Sequence, residues 1–302
     1  MLIGIIGNPR KSDLVTALHT LIAIVRRREL PYLLHDEMAH LVEGLDEAER
    51  LVDAEQIRTR ASVVIAFGGD GTMLSTGRLL AGSGVPLIGV NLGKLGFLAE
   101  FSVDMLDKTL DELVAGNLHI VERTLLHASF PDAPEHEPMI ALNDIVIDKR
   151  GGPLMLMLET YINGDYLGAF NADGLILSTP TGSTAYALAV GGPVVAPNAA
   201  VTVIAPIAPH MLTARPVVVP DTAVIEVYPT SHTPGEMVHV YADGQLHRNI
   251  RMPTRVLVTR HEHTVCLVKR TSTTYFDVLR AKLLWGREPI LNASGATPGD
   301  TF

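Results

Sequence analysis

A glycine turn that contains an acid, AFGGDGTMLST from Ala66 to Thr76, carries the first chemical signal in this chain. Gly68 and Gly69 follow an apolar run, and glycine lets a backbone approach a phosphate closely. The helix predicted from about Met73 directs its N-terminus at the same point, which favours a bound anion. Asp70 would repel a phosphate, so its presence indicates magnesium binding, acceptance of a hydroxyl proton, or both. The turn predicts phosphate chemistry; the alternative is a plain strand-to-helix turn with a capping aspartate.

A second stretch concentrates small residues and hydroxyl side chains between two glycine-rich turns. It reads NADGLILSTPTGSTAYALAVGGPVVAPN, from Asn171 to Asn198. Small residues let backbone amides meet a ligand, and hydroxyls together with Asp173 can specify ribose or amide groups. For a shorter piece, a β-turn dense in Ser and Thr would be the default interpretation. At this length the stretch indicates a ligand-binding turn.

Two kinds of secondary-structure pattern divide the chain. The N-terminal part alternates helical patterns with apolar strands such as Ser62 to Phe67, which indicates a doubly wound α/β domain. After about residue 118, short β-rich segments dominate, and Asn163-Gly164 is the strongest hairpin signal. These strands predict a β-sandwich-like second domain. Helical periodicity returns over Tyr275 to Trp285, and the tail from Gly286 is rich in Gly, Pro, Asn and Ser.

Composition excludes several classes of function. The net charge of -9 argues against a broad basic surface for nucleic acid, although local glycine nests still allow an anionic small ligand. The single cysteine, Cys266, excludes an intrachain disulfide and suits a reducing cytosol. No window approaches the ~20 apolar residues of a membrane span. We therefore expect a cytoplasmic protein with no nucleic-acid or membrane partner.

The GGDG turn alone is compatible with three enzyme families: sugar kinases of the phosphofructokinase type, lipid kinases of the diacylglycerol type, and NAD kinases. The run TPTGSTAYALAVGGP together with NLGKLGF resembles the NAD kinase family. LNDIVI from Leu142, PIAPHMLTARPVV from Pro206 and DGQ from Asp243 agree with that resemblance. It covers nearly the whole chain, from Gly68 to Trp285.

The resemblance implies a fold and a reaction. The fold is a phosphofructokinase-like α/β domain over 1–117 with the GGDG turn, an all-β NAD-binding domain over 118–267, and a segment 268–285 that returns to the first domain. A mobile tail over 286–302 is left. The family transfers a phosphoryl group from ATP, or polyphosphate in some members, to the 2′-hydroxyl of NAD's adenosine ribose. The product is NADP, magnesium or another divalent cation assists, and the members are usually homo-oligomers.

The resemblance also implies site residues, with Asp70 as the proton acceptor. Asn143 and Asp144 would hold the adenosine half of NAD, and Asp173 is placed near the nicotinamide end. Two positions depart from the family pattern. This chain has Asp144 where many relatives have Glu, and it has Asn171 where relatives often have a basic residue. Asp70 is either the base or a metal ligand, and no other metal ligand is assigned. The cofactor-binding residues expected in full are Asp70, Gly71, Arg78, Phe97, Asn143, Asp144, Asn171, Asp173, Thr184, Ala185, Tyr186, Ala187, Leu188, Ala189 and Gln245.

Four basic or polar residues are candidates for the donor phosphates. Arg78 lies about two turns into the helix after the glycine turn, within reach of a phosphate. Asn8, Arg10 and Lys11 end the first predicted strand, beside the GGDG turn of a doubly wound sheet. A plain turn at these three residues is the alternative.

A non-catalytic dinucleotide sensor on the same scaffold is the alternative function from outside the enzymes.

Overall fold

The structure is a computed structural model, and it describes residues 1–42, 50–93, 96–149, 155–231, 233 and 235–285. The predicted tail 286–302 lies outside the described residues, as do Lys94 and Leu95 of the NLGKLGF segment. Among the helices that it does describe, none has the length and apolar character needed to cross a membrane.

The N-terminal part contains a parallel sheet with helices on both faces. Its strands run in the order β5-β4-β1-β2-β3. Helices α1 and α4 pack on one face around Leu18, Leu110 and Phe67, while α2 and α3 pack on the other around Ile57 and Met73. This arrangement confirms the doubly wound α/β prediction. The elements are β1 (Ile3–Gly7), α1 (Leu14–Arg27), β2 (Tyr32–His35), β3 (Leu51–Val52), α2 (Ala54–Arg60), β4 (Val63–Phe67), α3 (Asp70–Leu79), β5 (Leu87–Val90) and α4 (Leu106–Val114).

The C-terminal part is rich in antiparallel strands, which confirms the second predicted class. The elements are β6 (His119–Ser129), β7 (Met139–Ala141), β8 (Asp144–Asp148), β9 (Leu156–Ile162), β10 (Asp165–Ala172), β11 (Gly174–Ser178), α5 (Tyr186–Ala189), β12 (Val201–Ile207), β13 (Val217–Pro220), β14 (Ile225–Thr230), β15 (Met237–Ala242), β16 (Leu246–Arg251), β17 (Val256–Lys269) and α6 (Tyr275–Leu283). One sheet has the order β13-β12-β11-β8-β15-β16. Its inner face packs on β6, β9, β14 and β17 around residues such as Ile145, Leu158 and Val258. The two sheets therefore form a sandwich with an apolar core.

The predicted hairpin at Asn163-Gly164 is present. Strands β9 and β10 pair antiparallel on either side of it. Asn163 has φ of 52° and Gly164 has φ of 86°, and a two-residue turn of this hand requires positive φ at both positions. Asn and Gly are the residues that adopt this conformation at the lowest cost.

A single sheet runs through both parts of the molecule. The long strand β17 pairs antiparallel with β6 and β14, and it also pairs in parallel with β5 where Leu267 meets Leu87. The parallel sheet is thereby continuous with one layer of the sandwich. The domain limits at 117/118 and 267/268 stay predictions, and the first does not coincide with a break in the sheet.

Candidate functional site

Asp70 lies at the start of α3, directly after the two glycines that end β4. The helix begins at Asp70, one turn before the predicted start at Met73, because an acid in the first turn is favourable at a helix N-terminus. Its carboxylate accepts three backbone hydrogen bonds from the loop 97–99. Oδ2 accepts from the amide of Phe97 at 3.0 Å, and Oδ1 accepts from Leu98 at 2.9 Å and from Ala99 at 3.3 Å. Asp70 therefore fixes the NLGKLGF loop against the glycine turn.

The contact between Asp70 and this loop requires a glycine at position 96. A Cβ atom on Gly96 would lie 2.1 Å from Oδ1 of Asp70, closer than any real contact. The carboxylate thus occupies the space that a side chain would fill. A carboxylate offers about four lone-pair positions, and the three amides leave one on Oδ2 for a substrate hydroxyl or a cation.

A buried carboxylate, Asp243, joins α3 to the β8 segment. Its side chain is 0% exposed and forms an ion pair with Nη1 of Arg78. The backbone amides of Leu142, Asn143 and Asp144 donate to the same carboxylate at 3.1, 2.7 and 3.3 Å. The carboxylate of Asp243 thus accepts hydrogen bonds both from α3 and from the backbone at the start of β8. It therefore sets the position of Asn143 and Asp144 relative to the glycine turn.

Gln245 completes the link between the two parts. Its Oε1 accepts from Nη2 of Arg78 at 2.6 Å, and its Nε2 donates to the carbonyl of Gly71 at 2.8 Å. Asp243 and Gly244 have φ of 54° and 64°, so DGQ is a tight turn between β15 and β16. The guanidinium of Arg78 is bound to Asp243 and Gln245 within the protein. Its contact with a phosphate stays a prediction.

Most hydroxyls of the STPTGST segment serve the protein itself. Ser178, Thr179 and Ser183 are buried. Thr179 Oγ1 donates to the carbonyl of Leu142 at 2.6 Å, and Ser183 Oγ donates to the carbonyl of Pro180 at 2.7 Å. The Thr179 bond holds the turn against the LND segment, and the Ser183 bond closes the turn itself. A Cβ on Gly182 would lie 2.2 Å from the carbonyl oxygen of Asn143, so the two segments are in close contact.

The residues after this turn form a small surface beside β8 and β11. Thr184 ends a short 3₁₀ turn, and Tyr186 to Ala189 form α5. Ala187 packs in the core, whereas Tyr186 is 44% exposed. Burial raises the pKa of Tyr186, and the charges of Asp148, Asp173 and Asp144 raise it further. These three carboxylates therefore lie near the tyrosine, and the surface is acidic.

Asp144 is the most deeply buried of those three acids. It is 4% exposed, and burial together with the charge of Asp243 raises the pKa of Asp144 to about 7. Asp173 is 41% exposed and pairs with Nζ of Lys149 at 2.6 Å. Asn171 lies exposed in β10, and its carbonyl accepts a hydrogen bond from the amide of His210 at 2.8 Å. Lys149 places a cation at this end of the site, where the sequence resemblance expects one at Asn171.

A cleft of ≈ 900 Å³ opens on the other side of the glycine turn. Its lining includes Asn8, Arg10 and Lys11 together with Gly69 and Gly71. The amide of Asn8 donates to the carbonyl of Phe67 at 3.1 Å, which fixes the β1 loop next to the end of β4. The sequence expectation that the GNPRK loop lies beside the glycine turn is thus met.

The structure brings most of the predicted residues to one region, and it adds groups that the sequence reading did not assign. Asp70, Gly71, Phe97, Asn143, Asp144 and Gln245 are joined by the hydrogen bonds above, and Thr184 lines one cavity with Phe97. In the sequence, Asp243 is part of DGQ, and Lys149 stands beside Arg150 after an apolar strand. Within the described ranges, no three His, Cys, Asp or Glu side chains cluster as a metal site.

Comparison with protein families finds two matches that together span most of the chain. Residues 3–118 match the ATP-NAD kinase N-terminal domain, and residues 142–270 match the ATP-NAD kinase C-terminal domain. An NAD kinase of Chlorobium phaeobacteroides is 35% identical over 288 residues, which are 95% of this chain and 98% of that protein. An NAD kinase of Trichlorobacter lovleyi is 42% identical over 82% of this chain and 86% of its own length.

Two solved structures share the fold. The yeast NADH kinase complexed with NADH has a TM-score of 0.86 at 22% identity, over 96% of this chain and 89% of that chain. An NAD kinase from Archaeoglobus fulgidus in complex with ATP has a TM-score of 0.74 at 23% identity, over 94% of this chain and 99% of that chain. At these identities the likeness concerns the fold.

Proposed function

Since this chain belongs to the ATP-NAD kinase family, we propose that it phosphorylates the 2′-hydroxyl of the adenosine ribose of NAD, with ATP as donor and NADP as product. The observation that carries this proposal starts at Gly71, the chain neighbour of Asp70. Gly71 is hydrogen-bonded to Gln245, and Arg78 joins Gln245 to Asp243 and so to the start of β8. The acid of the glycine turn and the predicted adenosine-binding residues are thereby linked, which supports a shared site.

In this proposal, Asp70 orients the 2′-hydroxyl and accepts its proton. Phosphoryl transfer depends on in-line positioning and charge stabilisation more than on covalent chemistry by the protein. The one lone-pair position of Oδ2 that the loop amides leave free can accept the hydroxyl hydrogen. Because a ribose hydroxyl is a weak acid, the proton moves late, as the bond to phosphorus forms. The three amide donors keep the carboxylate in place while this occurs.

The cleft beside Asn8 and Lys11 is proposed to receive the donor phosphates. Gly69, directly before α3, lines this cleft, and a Cβ atom on it would meet no atom within 4 Å. Open backbone at a helix N-terminus is suited to phosphate oxygens. Arg10 and Lys11 add positive charge at the same cleft.

The donor is proposed to bind as its magnesium complex or that of another divalent cation. The described residues hold no protein cluster for such an ion, and Mg²⁺ is commonly bound through substrate phosphates with one or two carboxylates. The one free lone-pair position of Asp70 Oδ2 is assigned to the 2′-hydroxyl, so the cation would be held by the donor phosphates and water. The cation would neutralise charge on the transferred group.

The acceptor side is proposed to use the remaining predicted residues. Asn143, Asp144 and Thr184 would contact the adenosine half, and Tyr186 with Asp173 would line the path toward the nicotinamide end. These roles, a homo-oligomeric assembly and a cytoplasmic location stay predictions. Use of polyphosphate is likewise untested.

A panel of acceptors tests the proposal against its rivals. The protein is incubated with ATP and magnesium plus NAD, diacylglycerol or fructose 6-phosphate, and ADP release is measured. ADP release that depends on NAD is the expected result. Dependence on a lipid or a sugar phosphate would identify one of the other GGDG kinases, and tight NAD binding without ADP release would identify a dinucleotide sensor.

A further inference from the structure

A second cavity, of ≈ 390 Å³, lies between the loop 97–100, strand β6 and the C-terminal segment. It is distinct from the donor cleft, although Phe97 and Thr184 connect it with the proposed dinucleotide site. The charged groups in its lining are mostly basic. They are His119, Arg123, Lys269, Arg270 and the acid Glu100.

The pairing of β6 with β17 explains why these basic groups converge. Lys269 lies opposite His119, and Val265 lies opposite Arg123 in the antiparallel register. Side chains at every second position of a strand share one face. His119, Val121 and Arg123 therefore line the cavity from β6, while Lys269 enters it from the end of β17. Arg270 follows at the start of the turn that leads into α6.

The acid in the cavity is already neutralised. Glu100 is 7% exposed, and its Oε1 accepts from Nζ of Lys269 at 2.6 Å. The backbone amide of Arg270 donates to its other oxygen at 3.4 Å. Glu100 and Lys269 thus form a largely buried pair; Arg123 feels the charge of Glu100, but neither arginine side chain forms an ion pair with it in the described part of the chain.

Neither guanidinium pairs with an acid among the described residues. Arg123 donates from Nη1 to the carbonyl of Glu122 at 3.0 Å, and burial lowers its pKa. In Arg270, Nε is buried with no hydrogen-bond partner in the described part of the chain, and Nη2 reaches only Ser272 Oγ at 3.4 Å. Charged groups that are partly removed from water without a hydrogen-bonded acid are costly, so an anion from outside the chain would stabilise these two arginines.

We propose that this cavity binds a phosphate-class dianion, held by Arg123 and Arg270. Guanidinium groups bind phosphate oxygens with paired N–H donors, and two of them balance the two charges of phosphate. Thr271 and Thr273 also line the cavity and carry hydroxyl donors. The phosphate group belongs either to free phosphate or to a phosphorylated dinucleotide, and the second source rests on the proposed function.

The cavity is coupled to Asp70 through one residue. Nζ of Lys269 donates to the carbonyl of Phe97 at 3.1 Å, and the amide of Phe97 donates to Oδ2 of Asp70 at 3.0 Å. An anion that attracts Lys269 would compete with both its bonds to Glu100 and to Phe97. Occupancy of the cavity would therefore act on the loop that positions Asp70.

Calorimetric titration of the nucleotide-free chain with sodium phosphate, at fixed ionic strength, tests the proposal. Wild type is expected to bind saturably, and Arg123→Gln and Arg270→Gln are each expected to bind ~10-fold more weakly or worse, since a charged hydrogen bond is lost. Arg60→Gln, which removes the same charge from an exposed site on α2, serves as the control. Lys11→Gln removes a competing phosphate contact in the donor cleft, and this variant should still bind phosphate in the cavity lined by Arg123 and Arg270.

This titration measures phosphate binding directly, so it tests the anion site independently of whether the chain makes NADP. Absence of saturable binding by wild type would overturn the proposal, as would wild-type affinity in a folded Arg270→Gln variant. That variant decides the matter if Arg123→Gln does not fold by circular dichroism, because Arg270 is only partly buried. Competition between NADP and phosphate supports the dinucleotide source, and simultaneous binding supports free phosphate.

Discussion

At the scale of single residues, Asp70 has two duties that a sequence motif cannot separate. It is the proposed proton acceptor, and it also anchors the loop 97–99 through three amides. In Asp70→Asn, the amide oxygen can replace Oδ1, but the NH₂ group would face the amide of Phe97 instead of accepting from it. The variant thus loses the acceptor for catalysis and one anchoring bond together.

We predict that Asp70→Asn lowers kcat by ~100-fold or more while NAD affinity changes only a few-fold. The melting temperature should also fall, because one buried donor is left unsatisfied. Steady-state kinetics, NAD titration and thermal unfolding check the three parts, with the exposed Asp165→Asn as the charge-matched control. Turnover close to that of wild type would remove Asp70 from its proposed role.

Asp144 gives a prediction for the pH dependence of stability. Its pKa is raised from 3.8 to about 7, so the folded chain holds a proton that the unfolded chain releases. The stabilisation is full below the unfolded pKa and is lost as the pH rises through the folded value. Asp144→Asn imitates the protonated form at every pH.

We therefore expect the stability of Asp144→Asn, relative to wild type, to improve by more than ~1 kcal/mol between about pH 4 and pH 8. Urea unfolding at several pH values measures this difference, and Asp165→Asn again controls for the change in net charge. A difference that stays constant with pH would show that Asp144 is not protonated in the folded chain.

At this scale, the sequence predicted residue types better than it predicted partners. The family resemblance carried by GGDGT, LND and DGQ predicts Asp70, Asn143 and Gln245 as site residues. The structure links these segments by hydrogen bonds, and their contacts with ligands stay predictions. The buried contacts of Asp243 could not be predicted, since its partners Arg78 and Asn143 lie 165 and 100 residues away in sequence. The hydroxyls of the STPTGST segment looked like ligand contacts, and several of them are used to hold the turn itself.

At the scale of elements, the tight turn after β15 joins the helix α3 to the strand β8. Asp243 is fully buried, and it pairs with an Arg78 side chain that is 9% exposed. Removal of one partner from a buried pair leaves an uncompensated charge in the interior. The link between the α/β part and the sandwich therefore depends on both members.

We predict that Asp243→Asn and Arg78→Met each destabilise the fold by ~3–5 kcal/mol, and that the double variant costs clearly less than the sum. Urea unfolding of the four members of this cycle provides the measurement. Glu55→Gln breaks the exposed pair with Arg58 and should cost less than ~1 kcal/mol. Additive effects of the two buried substitutions would contradict the proposed link.

The loop after β1 is the element assigned to the donor. Because Lys11 lines the donor cleft and its charge would contact phosphate oxygens, Lys11→Gln should raise KM for ATP by ~10-fold or more. KM for NAD should change little. Lys108→Gln, at a side chain 80% exposed on α4, is the control. A change in KM for NAD with no change in KM for ATP would show that the donor does not bind in this cleft.

At the scale of the whole molecule, one continuous sheet explains how two different architectures share a site. Strand β17 runs along the sandwich and then pairs with β5, so the end of the chain returns to the parallel sheet. The alternation of helices and strands predicted both classes, because local periodicity reports local structure. The pairing of β17 with β5 is a contact between distant segments, and periodicity carries no information about it.

The most direct test of the whole account is whether NADP forms. Purified protein is incubated with NAD, ATP and magnesium, and NADP is measured with an NADP-specific dehydrogenase beside the ADP released. The account predicts NADP and ADP in equal amounts, with both lost in Asp70→Asn. ADP without NADP, or NAD bound and unchanged, would contradict it.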